Sequence, residues 1–541
     1  MCAIFSYYSK TPVWKDQFKN IEKSFQRLQQ RWPDASSFQQ ISSFILLWFH
    51  RLALMDLSDD GMQPFIFQDN NSTIYITCNG EIYNSHDIIQ HHWFQTTSTS
   101  DCEVIGHLFV QGWIEHVLSI IHGEFACTIT QVFEDGSYNY YIFRDPIGVR
   151  PLFVGTLADG WMVYASELKA LYDLSDDIHQ YTPGQYSIYD SHTDILSEHI
   201  FFDYSHLQPS LLQLSYDTIL HDIRTTLEDA VTQRLQSDRS LCCLLSWGLD
   251  SSLIAALAQQ HSSQPIHTFT IGMDWWTDLP FAQIVADHIG SDHHVIELTV
   301  EQWLAAIEKT IYAIESYDIT TVRASVWQYL IAEYIANNTE HKAILCGELS
   351  DELCSGYKYF HSAPSPEQMH RENMRLVQDV HLYDGLRTDR TMAYHWLEVR
   401  LPFADTKFVE LIASVDPELR MPQWWVEKYL LRKAFDGTGI LPDEILWRSK
   451  EAFSDGVSGI KKSWFEQIQD HIETIISDEE FHRESKKFIH CPPTSKESYY
   501  YRKKFGEYFG EQHAKVIPYF WLPKWSGDIQ DPSARKLSTY S

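Results

Sequence analysis

Two segments of this sequence carry residue types that could do chemistry, and the first is the N-terminal Met1-Cys2-Ala3. Removal of Met1 would leave Cys2 with a thiol and a free α-amine on the same residue. An α-amine has an unperturbed pKa of about 8, low enough to accept the thiol proton near neutral pH. Cys2 is therefore a candidate nucleophile with its own base, although a cysteine at this position is also compatible with no function.

The second segment is Leu245-Ser246-Trp247-Gly248-Leu249-Asp250-Ser251-Ser252. It joins a short apolar run to a helical pattern, and backbone amides at such a turn attract anions, so it predicts a phosphate-binding loop. The sequence has no GxxxxGK[ST] motif, which argues against a Walker-type site. Asp250 could hold Mg²⁺ against a pyrophosphate. The alternative is an ordinary strand-to-helix turn capped by Asp250 or Ser251.

The first 190 residues predict a layered α+β domain that would position Cys2. Strand-like alternation occurs at 73–78, where it leads to the Asn79-Gly80 pair, and also at 125–132, 140–143 and 161–165. Two helices are predicted because apolar residues recur at helical spacing. These residues are Phe18, Ile21, Phe25 and Leu28 in one helix, and Val104, Ile105, Leu108 and Phe109 in the other.

After about residue 200 the pattern alternates between strand and helix. Apolar runs at 241–245, 266–271 and 295–298 are each followed by a helical pattern. Such alternation predicts a doubly wound parallel sheet, whose ligands bind beyond the carboxyl ends of the strands. The phosphate loop follows the first of these strands, and the stretch 190–215 is the predicted linker.

Composition narrows the class of protein. The chain has 541 residues and a formal charge of -31, which disfavours nucleic acid and anionic membranes as partners. Its apolar runs are too short to span a bilayer, and no signal peptide is expected. Nine cysteines without a CxxC pair indicate free thiols in a reducing cytosol, so we expect a cytoplasmic protein.

The loop 246–252 resembles the SGGxDSS loop of PP-loop ATP pyrophosphatases. Behind an N-terminal cysteine domain, it makes the chain similar to the glutamine-dependent asparagine synthetases. Further segments run in that family's order, namely IYAIESYDITTVRAS at 311–325, ILCGELSDELCSGYKYFH at 344–361, the stretch 381–403, WRSKEAFSDGV at 447–457 and the tail DPSARKLSTYS.

The resemblance implies an α+β N-terminal-nucleophile αββα sandwich followed by an α/β doubly wound parallel-sheet PP-loop domain. It places a class II glutamine amidotransferase domain at 1–195, a linker at 196–214 and the synthetase domain at 215–541. The implied reaction converts ATP, aspartate, glutamine and water to AMP, pyrophosphate, asparagine and glutamate. It would run through a Cys2 thioester, transferred ammonia and a β-aspartyl-AMP intermediate.

In the N-terminal domain the resemblance assigns residues to a glutamine site. The Asn79 side chain and the Gly80 amide match the family's oxyanion hole, although Asn-Gly is also a favoured hairpin turn. Arg51 matches the residue that binds the substrate carboxylate, beside the backbone of Leu52, Ala53, Leu54 and Met55. Glu81 and Asp101 match the groups that bind the substrate ammonium. The segment 144–150 also resembles glutamine phosphoribosylpyrophosphate amidotransferases, but a PP-loop follows here instead of a phosphoribosyltransferase pattern.

In the C-terminal domain the resemblance assigns the sites for ATP, aspartate and Mg²⁺. Glu348 matches a catalytic base, and Asp250 and Asp351 would share Mg²⁺. The residues assigned to ATP are Leu245, Ser246, Gly248, Asp250, Ser251, Ser252, Ile271, Cys346, Gly347 and Lys450. Those assigned to aspartate are Thr320, Thr321, Arg323 and Asp384, with Arg323 also in a catalytic role.

Several residues depart from the family's pattern around this site. Trp247, Leu349 and Ser355 replace glycines, Cys346 replaces serine, and Val326-Trp327 replaces Thr-Pro. A side chain forced into a glycine's positive φ would be strained by about 1 to 3 kcal/mol. Two alternatives therefore stay open: a related amidotransferase that adenylates another carboxylate, and a glutaminase with a degenerate synthetase domain. Partners are expected to be small-molecule substrates, with a homodimer possible from the family.

Overall fold

A computed structural model describes residues 1–31, 34–204, 207–209, 214–246, 248–273, 279–448, 462–527 and 531. The chain divides into two compact units. Unit 1 contains Met1–Asp203, Gln236–Ser240 and Ala393–Glu398, and unit 2 contains Tyr204–Leu235, Leu241–Met392 and Val399–Ser541.

Unit 1 is built from twelve strands and three α-helices within the described ranges. Its strands are β1 (Ala3–Tyr8), β2 (Ala35–Gln40), β3 (Ile45–Arg51), β4 (Phe65–Asp69), β5 (Ser72–Ile82), β6 (Gly123–Phe133), β7 (Tyr138–Arg144), β8 (Phe153–Thr156), β9 (Met162–Ala165), β10 (Asp177–Gln180), β11 (Gln185–Asp190) and β12 (Ile195–Ile200). Its helices are α1 (Lys15–Gln26), α2 (Ser85–His92) and α3 (Val104–Ile120).

These strands form two six-stranded sheets, ordered β10-β8-β9-β1-β3-β2 and β12-β11-β7-β6-β5-β4. Alternation along β1 explains the layers, because successive side chains point to opposite faces. Phe5 packs against Phe25 of α1. On the opposite face of β1, the Ser6 hydroxyl is hydrogen-bonded to Thr128 of β6 in the other sheet, and the Tyr8 hydroxyl is hydrogen-bonded to Thr130 of the same strand. Helix α3 buries its apolar face on the outer side of that second sheet. Unit 1 is therefore an αββα sandwich.

Unit 2 contains a five-stranded sheet made of β13 (Leu241–Leu244), β14 (His267–Met273), β15 (Asp292–Leu298), β16 (Ala343–Leu345) and β17 (Glu398–Arg400). The strand order is β15-β14-β13-β16-β17, and β13 pairs in parallel with β14 and β16, as β14 does with β15. The helices are α4 (Tyr216–Gln233), α5 (Leu249–Gln260), α6 (Leu279–Ile289), α7 (Val300–Ile314), α8 (Ile319–Asn338), α9 (Ser350–Leu353), α10 (Pro366–Asp379), α11 (Asp384–Ala393), α12 (Thr406–Ser414), α13 (Pro417–Arg420), α14 (Tyr429–Phe435), α15 (Asp443–Leu446), α16 (Trp464–Ile475), α17 (Asp478–Glu484) and α18 (Lys496–Phe509).

The predicted fold class is confirmed in both parts of the chain. The predicted strand at 73–78 is longer than expected, because β5 continues through Asn79-Gly80 to Ile82. The hairpin-turn interpretation of this pair is therefore wrong. Strand β12 pairs with β11 and occupies the start of the predicted linker. No helix among the described residues is long and apolar enough to cross a membrane.

Candidate active sites

The Cys2 thiol lies at the start of β1 and is hydrogen-bonded to the chain that leaves β3. Its Sγ donates to the carbonyl oxygen of Leu52 at 3.6 Å. Burial raises the pKa of this thiol to about 11, although the N-terminal ammonium and the bond to Leu52 oppose the shift. Met1 is fully buried, with Arg150 Nη1 2.8 Å from its Sδ. With Met1 in place, the thiol is therefore protonated at neutral pH and is a poor nucleophile.

Asn79 is a buried amide without a hydrogen-bond partner. Its side chain is fully inaccessible, and across the described part of the chain neither Nδ2 nor Oδ1 has a partner. A buried amide left unpaired is unfavourable by about 1 to 3 kcal/mol, so such groups are rare without a reason. An oxyanion that forms only when a substrate reacts would accept the Nδ2–H donor.

The backbone of β5 adds a second donor beside Asn79. The Gly80 carbonyl accepts the Cys102 thiol at 3.4 Å, and in an antiparallel strand the N–H of a residue points to the same side as its carbonyl. On this side the N–H groups of Cys78 and Ile82 donate to the side chains of Gln63 and Asp101. The Gly80 N–H therefore lies in a row of donors between them.

Gly80 is also needed where it stands, because β5 and β6 approach closely. A Cβ at this position would lie 2.2 Å from the Glu124 carbonyl oxygen and 2.6 Å from the Phe125 Cα. Backbone atoms cannot move aside as a flexible side chain can. Any other residue at position 80 would therefore push the two strands apart.

Arg51 ends β3 and is held by the loop that follows it. Its guanidinium donates to the backbone carbonyl oxygens of Ser58, at 2.5 Å, and of Asp56. A guanidinium has five N–H donors, so these contacts leave donors for a carboxylate. The neighbouring backbone is also fixed, since the Ala53 N–H donates to Asp34 and the Leu54 carbonyl accepts from Asp238, both at 2.8 Å.

The two carboxylates predicted for the substrate ammonium lie beside this row. Asp101 accepts the Ile82 N–H at 2.5 Å, and Glu81 is buried and acts electrostatically on the Cys2 thiol. Cys2, Leu52, Gly80, Glu81 and Asp101 are thus brought together. Met55, by contrast, is half-buried.

In unit 2, the predicted phosphate loop lies between β13 and α5, and hydrogen bonds between Ser246 and Ser251 join its two ends. The Ser251 hydroxyl accepts the Ser246 N–H at 3.0 Å and contacts the Ser246 hydroxyl at 2.7 Å. Gly248 is the N-cap of α5, and its carbonyl accepts the Ser252 hydroxyl at 2.8 Å. Ser251 and Ser252 are buried, and their amides belong to the first turn of α5, where anions bind.

Two further strand ends border this turn. Leu245 donates its N–H to Phe269 of β14, the strand on which Ile271 is buried. Cys346-Gly347 follows β16 and approaches so closely that a Cβ on Gly347 would lie 2.8 Å from the Ser251 nitrogen. These contacts bring the predicted ATP residues together at the carboxyl ends of β13, β14 and β16. Trp247 and Lys450 fall outside the described residues.

Asp250 and Asp351 share one cation, Lys428. The Lys428 Nζ lies 2.5 Å from Asp250 Oδ1 and 2.6 Å from Asp351 Oδ1, and its side chain is almost fully buried. The Ser350 hydroxyl also donates to Asp250 Oδ1 at 2.7 Å. Gly356 permits the arrangement, because a Cβ there would lie 2.0 Å from Asp351 Oδ1 and 2.1 Å from Lys428 Cε. The two predicted Mg²⁺ ligands are thus adjacent, with an ammonium bridging one oxygen of each.

Glu348 is oriented by residues from two helices. Gln328 of α8 and Arg387 of α11 each donate to one carboxylate oxygen of Glu348, both at 3.0 Å. Arg387 also donates to Asp384 Oδ1 at 2.7 Å. This chain of contacts links the predicted base to the predicted acid Asp384.

The acidic cluster continues to Glu352 and Tyr357. The Tyr357 hydroxyl donates to Glu352 at 2.5 Å and lies 3.4 Å from Asp384. Burial, and then the charges of Asp384 and Asp351, raise the pKa of Glu352 well above its ordinary value. The raised pKa favours the protonated form of Glu352, which would carry no charge beside Asp384 and Asp351.

Sequence reasoning missed Lys428, Arg387 and Gln328. Arg387 had a weak signal, since it follows Asp384 by three residues, a spacing that places both on one face of a helix. Lys428 is 178 residues from Asp250 and belongs to none of the motifs.

Two of the residues that replace the family's glycines adopt a left-handed backbone conformation, which favours glycine. Leu349 has φ 77° and Ser355 has φ 58°. Leu349 is buried and precedes α9, while the Ser355 hydroxyl contacts the side chain of Asn373 at 3.1 Å. Left-handed backbone is unfavourable by about 1 to 2 kcal/mol for an ordinary residue. The strain expected from the departures is therefore present at both positions, beside Glu348 and Gly356.

Arg323 lies in α8 with its charge paired to carboxylates. Its guanidinium makes a two-pronged contact to Glu497 at 2.7 Å and two further hydrogen bonds to Asp531 at 3.0 and 3.2 Å. Thr321 donates both its N–H and its hydroxyl to Asp318, the N-cap of α8. The Thr320 hydroxyl is buried without a partner in the described structure. Of the predicted aspartate-binding residues, Asp384 is the one in contact with the Glu348 cluster.

Comparison with known proteins accounts for both units. A family model described as glutamine amidotransferase domain matches residues 1–219, and one described as asparagine synthase matches residues 222–368 and 363–531. The glutamine-hydrolysing asparagine synthetases of Bos taurus and Homo sapiens are each 38% identical to this chain. Both alignments cover 100% of this chain and 99% of the relative. A solved B. subtilis glutamine phosphoribosylpyrophosphate amidotransferase matches with a TM-score of 0.33 and 15% identity, over 56% of this chain and 91% of that chain.

Proposed function

This chain belongs to the family of glutamine-hydrolysing asparagine synthetases, and from that premise we propose that it makes asparagine from aspartate, ATP and glutamine. The observation that carries the proposal is the full-length match to curated relatives, with both domain models in the same order along the chain. The products are asparagine, glutamate, AMP and pyrophosphate. No observation favours another carboxylate substrate or an inactive second domain.

We propose that glutamine is hydrolysed in unit 1 by Cys2, after loss of Met1 frees its α-amine as the base. The thiolate attacks the side-chain amide carbon, the C–N bond breaks, and ammonia leaves behind a thioester that water hydrolyses to glutamate. The oxyanion of each step would accept from Asn79 Nδ2 and the Gly80 N–H. Arg51 would bind the substrate carboxylate, next to the backbone of 52–55, and Glu81 and Asp101 would bind its ammonium.

We propose that aspartate is activated in unit 2 at the turn that precedes α5. An oxygen of the substrate side chain attacks the α-phosphorus of ATP, and the bond to the leaving pyrophosphate breaks. Ser246, Gly248 and the amides of Ser251 and Ser252 would bind the pyrophosphate, together with Lys450. Leu245, Ile271, Cys346 and Gly347 would line the nucleotide site. Thr320, Thr321, Arg323 and Asp384 stay predicted aspartate-binding residues.

The second half of the reaction needs a base, and Glu348 is the proposed group. Ammonia attacks the β-aspartyl carbonyl carbon, AMP leaves, and a proton of the former ammonia passes to a Glu348 oxygen. Gln328 and Arg387 are positioning residues in this account, because each donates to one oxygen of that carboxylate. They would fix its direction without touching the reacting atoms.

The carboxylates of Asp250 and Asp351 fit Mg²⁺, which binds one or two carboxylates together with phosphate oxygens. Bound there, Mg²⁺ would neutralise charge on the pyrophosphate.

We also propose that 1–195 is the glutaminase domain, 196–214 the linker and 215–541 the synthetase domain. A cytoplasmic location and a homodimer are further proposals, the first supported by nine free cysteines and the second by the family alone.

The proposed division of labour is tested by Cys2→Ala. This variant should lose glutamine-dependent asparagine formation but keep formation from added ammonium chloride, because unit 2 is unchanged. Cys491→Ala is the matched control, since Cys491 is also partly accessible but lies in unit 2. Retention of glutamine-dependent asparagine formation in Cys2→Ala, with ammonia-dependent formation reduced, would refute the assignment of the nucleophile.

A further inference from the structure

Two histidines and an aspartate meet at the edge of the parallel sheet opposite the phosphate loop. His267 begins β14, and Asp292 and His294 lie in the first three residues of β15. The strands pair in register, with His267 opposite Asp292 and Phe269 opposite His294. Since side chains alternate between faces with a period of two, all four project from the same face. The active-site residues follow the other ends of the strands.

The distances among the three polar groups fit a metal ion. His267 Nδ1 is 3.0 Å from His294 Nε2 and 3.4 Å from Asp292 Oδ2, and His294 Nε2 is 3.7 Å from Asp292 Oδ1. Zinc binds imidazole nitrogen and carboxylate oxygen at about 2.0 to 2.2 Å with tetrahedral angles, which separates neighbouring ligand atoms by about 3.3 to 3.5 Å. The separations of His267 Nδ1 from His294 Nε2 and from Asp292 Oδ2 lie close to that value, and the 3.7 Å contact of His294 is to the other Asp292 oxygen.

Aromatic neighbours hold the two imidazole rings in place. Phe269 stacks on His294 with ring centroids 4.6 Å apart, and the His267 and His294 rings are nearly parallel at 5.3 Å. His341, just before β16, packs against His267 at 4.7 Å.

We propose that His267, Asp292 and His294 bind a transition-metal dication such as Zn²⁺. Two imidazole nitrogens and one carboxylate oxygen suit Zn²⁺, Co²⁺ or Ni²⁺ and not Mg²⁺, which prefers oxygen ligands. The three groups are partly exposed, so water fills the fourth position and the ion can enter from solvent. The net charge of -31 raises the local concentration of cations. The site is independent of the proposed synthesis of asparagine.

The competing explanation is a hydrogen bond between two neutral imidazoles, for which a separation of 3.0 Å is also suitable. The two explanations differ for Asp292. Its two oxygens lie 3.4 and 3.7 Å from the imidazole nitrogens, which is long for hydrogen bonds, whereas the 3.4 Å between Asp292 Oδ2 and His267 Nδ1 is ordinary for two ligands of one ion. Replacing Asp292 should therefore weaken metal binding, whereas it would leave a simple histidine pair unchanged.

The experiment is titration of Zn²⁺ into the full chain by calorimetry, in excess Mg²⁺ so that the nucleotide site cannot compete. We expect one tight site per chain. His267→Ala and His294→Ala should each weaken it by more than about 100-fold, and Asp292→Asn by at least about tenfold. His482→Ala, which removes an exposed histidine from a helix end, is the control and should bind as the parent does.

X-ray absorption at the zinc edge then distinguishes this site from binding to thiols. The proposal predicts nitrogen and oxygen neighbours at about 2.0 to 2.2 Å and no sulfur at about 2.3 Å. A sulfur shell, no tight binding, or equal affinity in the parent, His294→Ala and Asp292→Asn would each overturn it. Circular dichroism of each variant separates loss of the site from loss of the fold.

Discussion

Replacement of Asn79 by alanine should separate catalysis from stability in unit 1. Removal of one preorganised oxyanion donor lowers kcat by about 100- to 1,000-fold. Stability should change little, because the Asn79 amide is buried with no hydrogen-bond partner in the described structure. Its removal relieves an unpaired group that is unfavourable by about 1 to 3 kcal/mol, and this offsets the small cavity left behind.

Asn84 provides a matched control a few residues further along the chain. Its Nδ2 donates to the Ile120 carbonyl at 2.8 Å and its Oδ1 accepts the His122 N–H at 2.9 Å. Asn84→Ala leaves both backbone groups unpaired and should destabilise the unit by about 1 to 3 kcal/mol. That corresponds to a fall in melting temperature of roughly 2 to 12 °C for a unit of this size. Its glutaminase kcat should stay within a factor of three of the parent.

The assays are glutamate release, ammonia-dependent asparagine formation and thermal melting of each variant. Asn79→Ala should lose only the first of these, and Asn84→Ala should change only the third. The oxyanion assignment is refuted if Asn79→Ala keeps kcat within tenfold of the parent. It is equally refuted if that variant melts as low as Asn84→Ala, because its loss of activity would then be structural.

Three further predictions concern the cation, the strained backbone and the thiol. Lys428→Met should reduce aspartate-dependent exchange of pyrophosphate into ATP by at least about 100-fold, because Asp250 and Asp351 lose their shared cation. Lys433→Met is the control, and equal exchange in both variants would contradict this role. In urea unfolding, the free energy of unfolding of Leu349→Gly should exceed that of Leu349→Ala by about 1 kcal/mol, because both variants lose the leucine packing but only glycine suits φ 77°. Equal stability of the two variants would contradict the inferred backbone strain. In chains that retain Met1, a Cys2 pKa of about 11 leaves about one thiol in a thousand ionised at pH 8. The rate of Cys2 alkylation by iodoacetamide should therefore rise about tenfold per pH unit from pH 8 to 10. A plateau in this rate below pH 9 would refute the raised pKa.

Local pattern was enough to predict several elements of each unit. The alternation at 73–78 and the apolar run at 241–245 correspond to β5 and β13, because burial of one face imposes a period that the sequence displays. The local preference of the Asn79-Gly80 pair for a hairpin turn gave a wrong prediction. This preference is overruled by eleven residue pairs between β5 and β6, and the close approach of the strands requires Gly80.

Motifs predicted much of the candidate site, but they did not predict what orients it. Asp250 and Asp351 belong to recognisable segments, whereas Lys428 comes from a stretch with no motif, and a contact between residues 178 apart leaves no periodic trace. Arg323 illustrates the reverse case. Its position in a familiar segment predicted a substrate contact, but the fold also brings Glu497 and Asp531 to its guanidinium. Charge pairing across distant segments depends on tertiary packing and not on local propensity.

The central claim is that one chain moves the amide nitrogen of glutamine to aspartate at the expense of ATP cleavage to AMP. The most direct measurement incubates the purified chain with amide-¹⁵N-glutamine, aspartate, ATP and Mg²⁺, and identifies the products by mass spectrometry. We predict ¹⁵N-labelled asparagine with AMP and pyrophosphate in equal amounts. Formation of ADP and phosphate, or glutamate release with no labelled asparagine, would contradict the claim.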